Sequence, residues 1–171
     1  MDTVINFKDL PYRRCVGILV FNHEGKVWVG RRLVSCTYAE TEMTRRWQLP
    51  QGGIDEDEEP LDAAHRELYE ETGIRSIKFV KEAQDWFYYD FPQELIGCVL
   101  GNKYRGQMQK WFAFQFTGEC SEIAINPPPD GNKAEFDQWK WADLETLPSI
   151  VVSFKKNVYM KVVNEFRGSF R

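Results

Sequence analysis

GGIDEDEEPLDAAHRELYEETGI, residues 52–74, decides how this chain is read. Within it Glu70 and Glu71 follow Glu67 by three and four residues, between helix signals at both ends. Pro60 suits a first helical position, where its missing N–H would be unpaired anyway. Gly73 suits the position just past the last turn, which favours a left-handed residue. At about 100° per residue Leu61, Ala64 and Leu68 fall on one stripe. The glutamates share the neighbouring stripe, with the small Ala63 a turn above Glu67.

Such a face is unfavourable by itself. Like charges at (i, i+4) cost a helix about 0.2–0.5 kcal/mol per pair, and desolvating them costs far more. An acidic run of this kind is ordinarily a solvated surface. A divalent cation changes the sign, because three hard carboxylate oxygens on one short face are how Mg²⁺ or Mn²⁺ is usually held. Arg66 can hydrogen-bond a neighbouring carboxylate, with Glu58 and Glu71 the expected partners. Just upstream, Trp47-Gln48-Leu49-Pro50-Gln51-Gly52-Gly53 brings the chain into this segment, and two glycines let backbone approach a metal or phosphate closely.

Gly52, Glu58 and then Arg66-Glu67-Leu68-x-Glu70-Glu71-x-Gly73-Ile74 resemble the Nudix hydrolase signature at each fixed position. The resemblance implies an α/β fold, the alpha-beta-alpha sandwich of Nudix proteins. In that fold a mixed sheet lies between helices, with the Nudix-box helix and a C-terminal helix among them. It also implies cleavage of a nucleoside diphosphate linked to another group, with Mg²⁺ as cofactor and Mn²⁺ or another divalent cation able to substitute.

The flanks narrow the resemblance. Tyr12-Arg13, Val16-Gly17, WQLPQGGID from Trp47, GQMQKWF from Gly106, EFDQWKW from Glu135 and VVSFKKNVY from Val151 are similar to one branch. That branch holds the bacterial RNA 5′-pyrophosphohydrolases and the dinucleoside polyphosphate hydrolases, including relatives with an invasion-associated label. It implies metal ligation by Glu67, Glu70 and Glu71, with the Gly53 carbonyl nearby. Glu135 would be a further ligand or the group that activates water, and Arg66 belongs to the same catalytic set. Arg13, Gln107 and Lys110 would meet the phosphates. Arg32, Tyr89, Val152, Phe154 and Lys155 would form a pocket holding a base. The substrate is then 5′-triphosphorylated RNA or a dinucleoside polyphosphate such as diadenosine tetraphosphate. Other readings are a nucleotide-sanitising hydrolase and a non-catalytic nucleotide-binding module, the latter disfavoured by three intact box glutamates.

Composition agrees with a globular enzyme. The 171 residues fit a single domain, 1–171, with 1–11 as an N-terminal arm and 52–74 as the Nudix box. Hydrophobic residues make up 43% and aromatics 15%, which excludes a disordered chain. No apolar run is long enough for a membrane span or a signal peptide, so a cytoplasmic location with no membrane and no protein partner is expected. Cys15, Cys36, Cys98 and Cys120 form no CxxC pair and read as reduced thiols. His23 and His65 leave almost nothing for a histidine metal site or a Ser–His–Asp triad, and His65 reads as a surface residue. The net charge of −4 argues against a nonspecific nucleic-acid coat.

Strands are expected at 15–21 and 26–30 as a hairpin, then at 77–83, 85–91, 109–116 and 136–141. In 109–116 alternation points Trp111, Ala113 and Gln115 one way and Phe112, Phe114 and Phe116 the other. Residues 33–46, 95–105 and 126–133 read as loops. Val158, Val162, Val163 and Phe166 recur at helical spacing, so the last dozen residues form an amphipathic helix.

Overall fold

In a computed structural model, residues 6–33, 45–95, 101 and 103–170 are described. The strands are β1 (Tyr12–Phe21), β2 (Val27–Arg32), β3 (Trp47–Gln48), β4 (Gln51–Gly53), β5 (Ile77–Glu82), β6 (Phe87–Asp90), β7 (Gly106–Phe116) and β8 (Phe136–Ala142). The helices are α1 (Pro60–Thr72), α2 (Leu147–Ile150) and α3 (Lys156–Phe166). Most of the 33–46 loop reading, and part of the 1–11 and 95–105 readings, lies outside the described residues.

Among the described residues the strands join one mixed sheet, ordered β3-β2-β1-β7-β5, with β4 on β1, β6 on β7 and β8 on β2. β1 and β7 run parallel from Tyr12↔Gly106 to Phe21↔Gln115, and the remaining pairings are antiparallel. That long pairing explains two differences from the sequence reading. β1 begins at Tyr12, not Cys15, and β7 begins at Gly106, because each completes the other's hydrogen bonds. Arg31 and Arg32 also stay within β2 instead of leaving it. Their partners are Gln138 and Phe136 of β8, and Arg31 Nε donates to Asp137 Oδ1 at 2.7 Å.

The sheet separates two cores. On one face Leu19, Trp111 and Ala113 pack against Val158, Tyr159, Val162, Val163 and Phe166 of α3. On the other, Val16, Ile18, Phe112 and Phe114 pack against Ala63, Ala64 and Leu68 of α1. The alternation expected in β7 is therefore the observed division, and the sandwich is the expected one. Leu61 is a correction: it is exposed, and Ala63 takes the buried place beside Ala64 and Leu68. His65 is exposed, with its ring edge on Phe114.

Close approach at Gly17 sets the α3 face. A Cβ there would lie within the indole of Trp111, which is wholly buried. Gly17→Ala is expected to lower stability by about 3 kcal/mol, the upper end of ordinary overpacking. Urea unfolding measures it, and an unchanged midpoint would contradict this packing.

Candidate active site

α1 is built as its sequence suggests. Pro60 opens it, and Gly73 closes it at φ 74 with its N–H donating to Tyr69 O. Because Gly52 has no side chain, the Glu67 carboxylate fits over β4; a Cβ at Gly52 would overlap it. Arg66 gathers the acceptors around it. Its Nε and Nη2 each reach Glu58 at 2.8 Å, Nη2 also donates to the Gly53 carbonyl at 2.8 Å, and Nη1 reaches Glu67 at 2.9 Å and Glu70 at 3.3 Å. The Glu58 pairing is as expected. Glu71 is not a partner of Arg66; Glu67 and Glu70 take its place, since both lie on Arg66's side of the helix.

The charges are unequally balanced. Hydrogen bonds from Arg66 hold the Glu58 carboxyl down at about 2. Glu67 is raised, by burial first, with Glu70 adding to it and Arg66 and Arg13 opposing. Glu71 is raised well above the carboxylate range, by burial and then by the charges of Glu67 and Glu135. The Gln51 N–H, 3.3 Å from Glu71 Oε2, and the charge of Arg32 offset this only in part.

Among the described residues no three acidic, cysteine or histidine side chains already converge as a ligand set; Arg66 holds Glu67 and Glu70 instead. The donor set still fits a divalent cation. All its atoms are hard oxygens, the glycine cradle leaves Glu67 in place, and Glu71 sits where a positive charge is lacking.

Across the adjoining strands runs a single row. Arg13 of β1 pairs with Gln107 of β7, which pairs with Tyr89 of β6. A Cβ at Gly53 would meet the Arg13 guanidinium, so backbone and cation lie together at the edge of the glutamate cluster. At the other end of the row the Tyr89 and Phe154 rings are 5.7 Å apart. Lys155 Nζ stands 5.7 Å from the Tyr89 ring centre and 5.9 Å from that of Phe154. Val152 packs partly buried on the same core, and the charge of Arg32 acts on Glu71, Tyr89 and Lys155.

Lys155 is itself buried, and burial lowers its ammonium to about 7. Its partners are neutral: Gln48 Oε1 at 3.0 Å and Gln51 Oε1 at 3.4 Å.

Lys110 does not join the row. It lies on the opposite face of β7, where Nζ donates to Gln84 O at 3.1 Å and pairs with Glu82 at 3.4 Å. Strand alternation, which separates it from Gln107 and Gln109, is the reason. Sequence reading passed over Gln48, Gln51 and Gln109. For Gln109 a signal existed: period two carried back from Trp111 lands on it and then on Gln107, and a buried indole N–H requires an acceptor.

A NUDIX domain model matches residues 11–162. The chain belongs to the NUDIX family. This Nudix chain is 81% identical over 171 residues to the RNA pyrophosphohydrolase of Bartonella quintana (strain Toulouse), covering 100% of this chain and 99% of that one. It is 54% identical over 162 residues to the RNA pyrophosphohydrolase of Mesorhizobium japonicum, covering 95% and 94% of the two chains. Among solved structures, the Nudix fold seen here matches the E. coli dihydroneopterin triphosphate pyrophosphohydrolase with a TM-score of 0.62 at 18% identity, over 90% of this chain and 99% of that one. It matches a C. elegans Ap4A hydrolase complex with a TM-score of 0.57 at 14% identity, covering 90% and 98%. Those two likenesses speak to the fold alone.

Proposed function

We propose that this Nudix chain is an RNA 5′-pyrophosphohydrolase, acting as one domain in the cytosol and converting 5′-triphosphorylated RNA to 5′-monophosphorylated RNA. The observation that carries this reading is the full-length 81% identity to a protein of that name. The row from Arg13 to Tyr89 supports it, since a guanidinium lies at one end and the Tyr89 and Phe154 rings at the other. No helix among the described residues is long and apolar enough to cross a membrane.

Glu67, Glu70 and Glu71, with Glu135 and the Gly53 carbonyl, are the groups that would hold Mg²⁺. Once bound, the cation neutralises phosphate oxygens and lowers the pKa of water. The chain's own part is mostly placement. Arg66 fixes the direction of Glu67 and Glu70, so their oxygens are set before substrate arrives. Water attacks a phosphorus of the triphosphate, the bond to the bridging oxygen breaks, and pyrophosphate leaves. A carboxylate of the box takes the proton of that water. Arg13 and the Gln107 amide face the phosphates, and Tyr89, Phe154 and Lys155 hold a base between aromatic ring and cation.

A competition between γ-labelled triphosphate RNA and diadenosine tetraphosphate tests the reading. Release of label as pyrophosphate from RNA, with the dinucleotide consumed more slowly, is expected; preferential cleavage of the dinucleotide to ATP and AMP overturns it. Phe154→Ala is expected to raise KM about tenfold or more with a smaller change in kcat, since stacking contributes roughly 1–3 kcal/mol per base. If the variant chiefly unfolds, its ring belongs to the core and not to the pocket.

A further inference from the structure

Side-chain amides link the base pocket to the interior of the sheet, and the group at each end of their network donates into it. At one end is the Trp111 indole N–H, at the other the Lys155 ammonium. Trp111 Nε1 donates to Gln109 Oε1 at 3.2 Å, which turns the Gln109 nitrogen the other way. That nitrogen donates to Gln107 Oε1 at 3.0 Å and to Gln51 Oε1 at 3.1 Å. From the far end Lys155 Nζ donates to Gln51 Oε1, so the Gln51 nitrogen also turns toward Gln107 Oε1, at 3.4 Å. Hydrogen-bond polarity thus converges from both ends on one oxygen. Turning the Gln107 amide over would set its NH₂ against two other NH₂ groups in a buried place, a loss of about 1–3 kcal/mol for each group left unsatisfied.

We propose that Gln109 and Gln51 are positioning residues that lock the Gln107 amide with its NH₂ facing the substrate. Gln107 lies in register between Arg13 and Tyr89, where a polyphosphate would pass from cation to base pocket. Its Oε1 is taken up by the Gln109 and Gln51 amides, which leaves its Nε2 turned away from both. The non-bridging oxygens of a phosphate chain only accept, so a fixed donor matches them. An unconstrained glutamine would offer its carbonyl as readily as its NH₂. The identity of the substrate rests on the function proposed above; the direction of the amide does not.

The test changes Gln109, which does not face the row's solvent side. Gln109→Glu keeps the acceptor for Trp111 but removes both donors, so the Gln107 amide turns over. Gln109→Met removes the clamp without adding a charge and serves if the glutamate variant fails to fold. On γ-labelled triphosphate RNA and on diadenosine tetraphosphate, each folded variant is expected to raise KM about tenfold, one lost charge-assisted hydrogen bond, with kcat within about threefold of the parent. In a Gln107→Ala background Gln109→Glu adds no further loss. The side-chain ¹⁵N amide pair of Gln107 is expected to shift in Gln109→Met. A wild-type KM in both variants, an undiminished penalty in the Gln107→Ala background or an unmoved Gln107 amide pair overturns the clamp. Failure of the parent protein to cleave either substrate counts against the proposed function instead, and the amide spectrum then decides the clamp alone.

Discussion

Glu71→Gln raises the melting temperature of the metal-free protein while lowering kcat by on the order of 10² to 10³. The two effects have one cause. Glu71 is buried among the charges of Glu67 and Glu135, so its folded-state carboxyl holds a proton well above the ordinary range. The unfolded chain gives that proton up near the ordinary 4.5. Stability therefore falls as pH rises from there through the folded value, and it is restored as pH drops. A neutral Gln at 71 keeps the acceptor for the Gln51 N–H and removes the penalty, so the gain is present at neutral pH and vanishes at about pH 4. For a chain of this size about 1 kcal/mol corresponds to roughly 2–4 °C. Adding Mg²⁺ is expected to raise the melt of the parent and not of the variant. Thermal melts at pH 4 and pH 7.5, with and without Mg²⁺, measure all of this. A variant melting below the parent in metal-free buffer at pH 7.5 would contradict the charge balance described.

Removing the cation that organises the box works in the opposite direction. Arg66→Gln is expected to lower stability by about 1.5–3 kcal/mol, because it leaves partly buried, partly screened carboxylates without their partner. Activity falls with it, since Glu67 and Glu70 lose the group that orients them. The pH signature is specific. Glu58 is held down at about 2 by Arg66, so its contribution is full above about 4.5 and is lost as pH falls toward 2. That acid-side loss should be present in the parent and largely absent from the variant. Urea unfolding between pH 5 and pH 2.5 measures it, and identical slopes would show that Arg66 does not set the Glu58 carboxyl.

Much of this was legible in the residues because α1 carries its own instructions. Pro60, Gly73 and the glutamate spacing act locally, and the helix forms where they indicate. The alternation of β7 was equally plain, since Trp111 and Phe112 leave opposite faces of one strand. What escaped depends on distant partners. Arg31 looks like the end of a strand until Asp137 on β8 pairs with it. Leu61 sits on the right stripe for burial, but the sheet leans on Ala63 instead. Lys110 is one residue from Gln109, and only strand pleating sends it to Glu82. The glutamine network was invisible for a similar reason: Gln48, Gln51 and Gln109 lie on three different strands and join Gln107 only through one another and Lys155 in the folded chain.

The parallel pairing of β1 with β7 also bears on how the molecule comes to exist. Arg13 emerges at the start of synthesis, and its register partner Gln107 only after the box and both flanking strands have been made. Parallel pairing of segments so far apart closes a long loop before it gains any contact, which slows folding. A nascent chain halted before β7 therefore has no assembled site, and its box helix still lacks Phe112 and Phe114 to pack on, so catalytic competence arrives as a late, cooperative event.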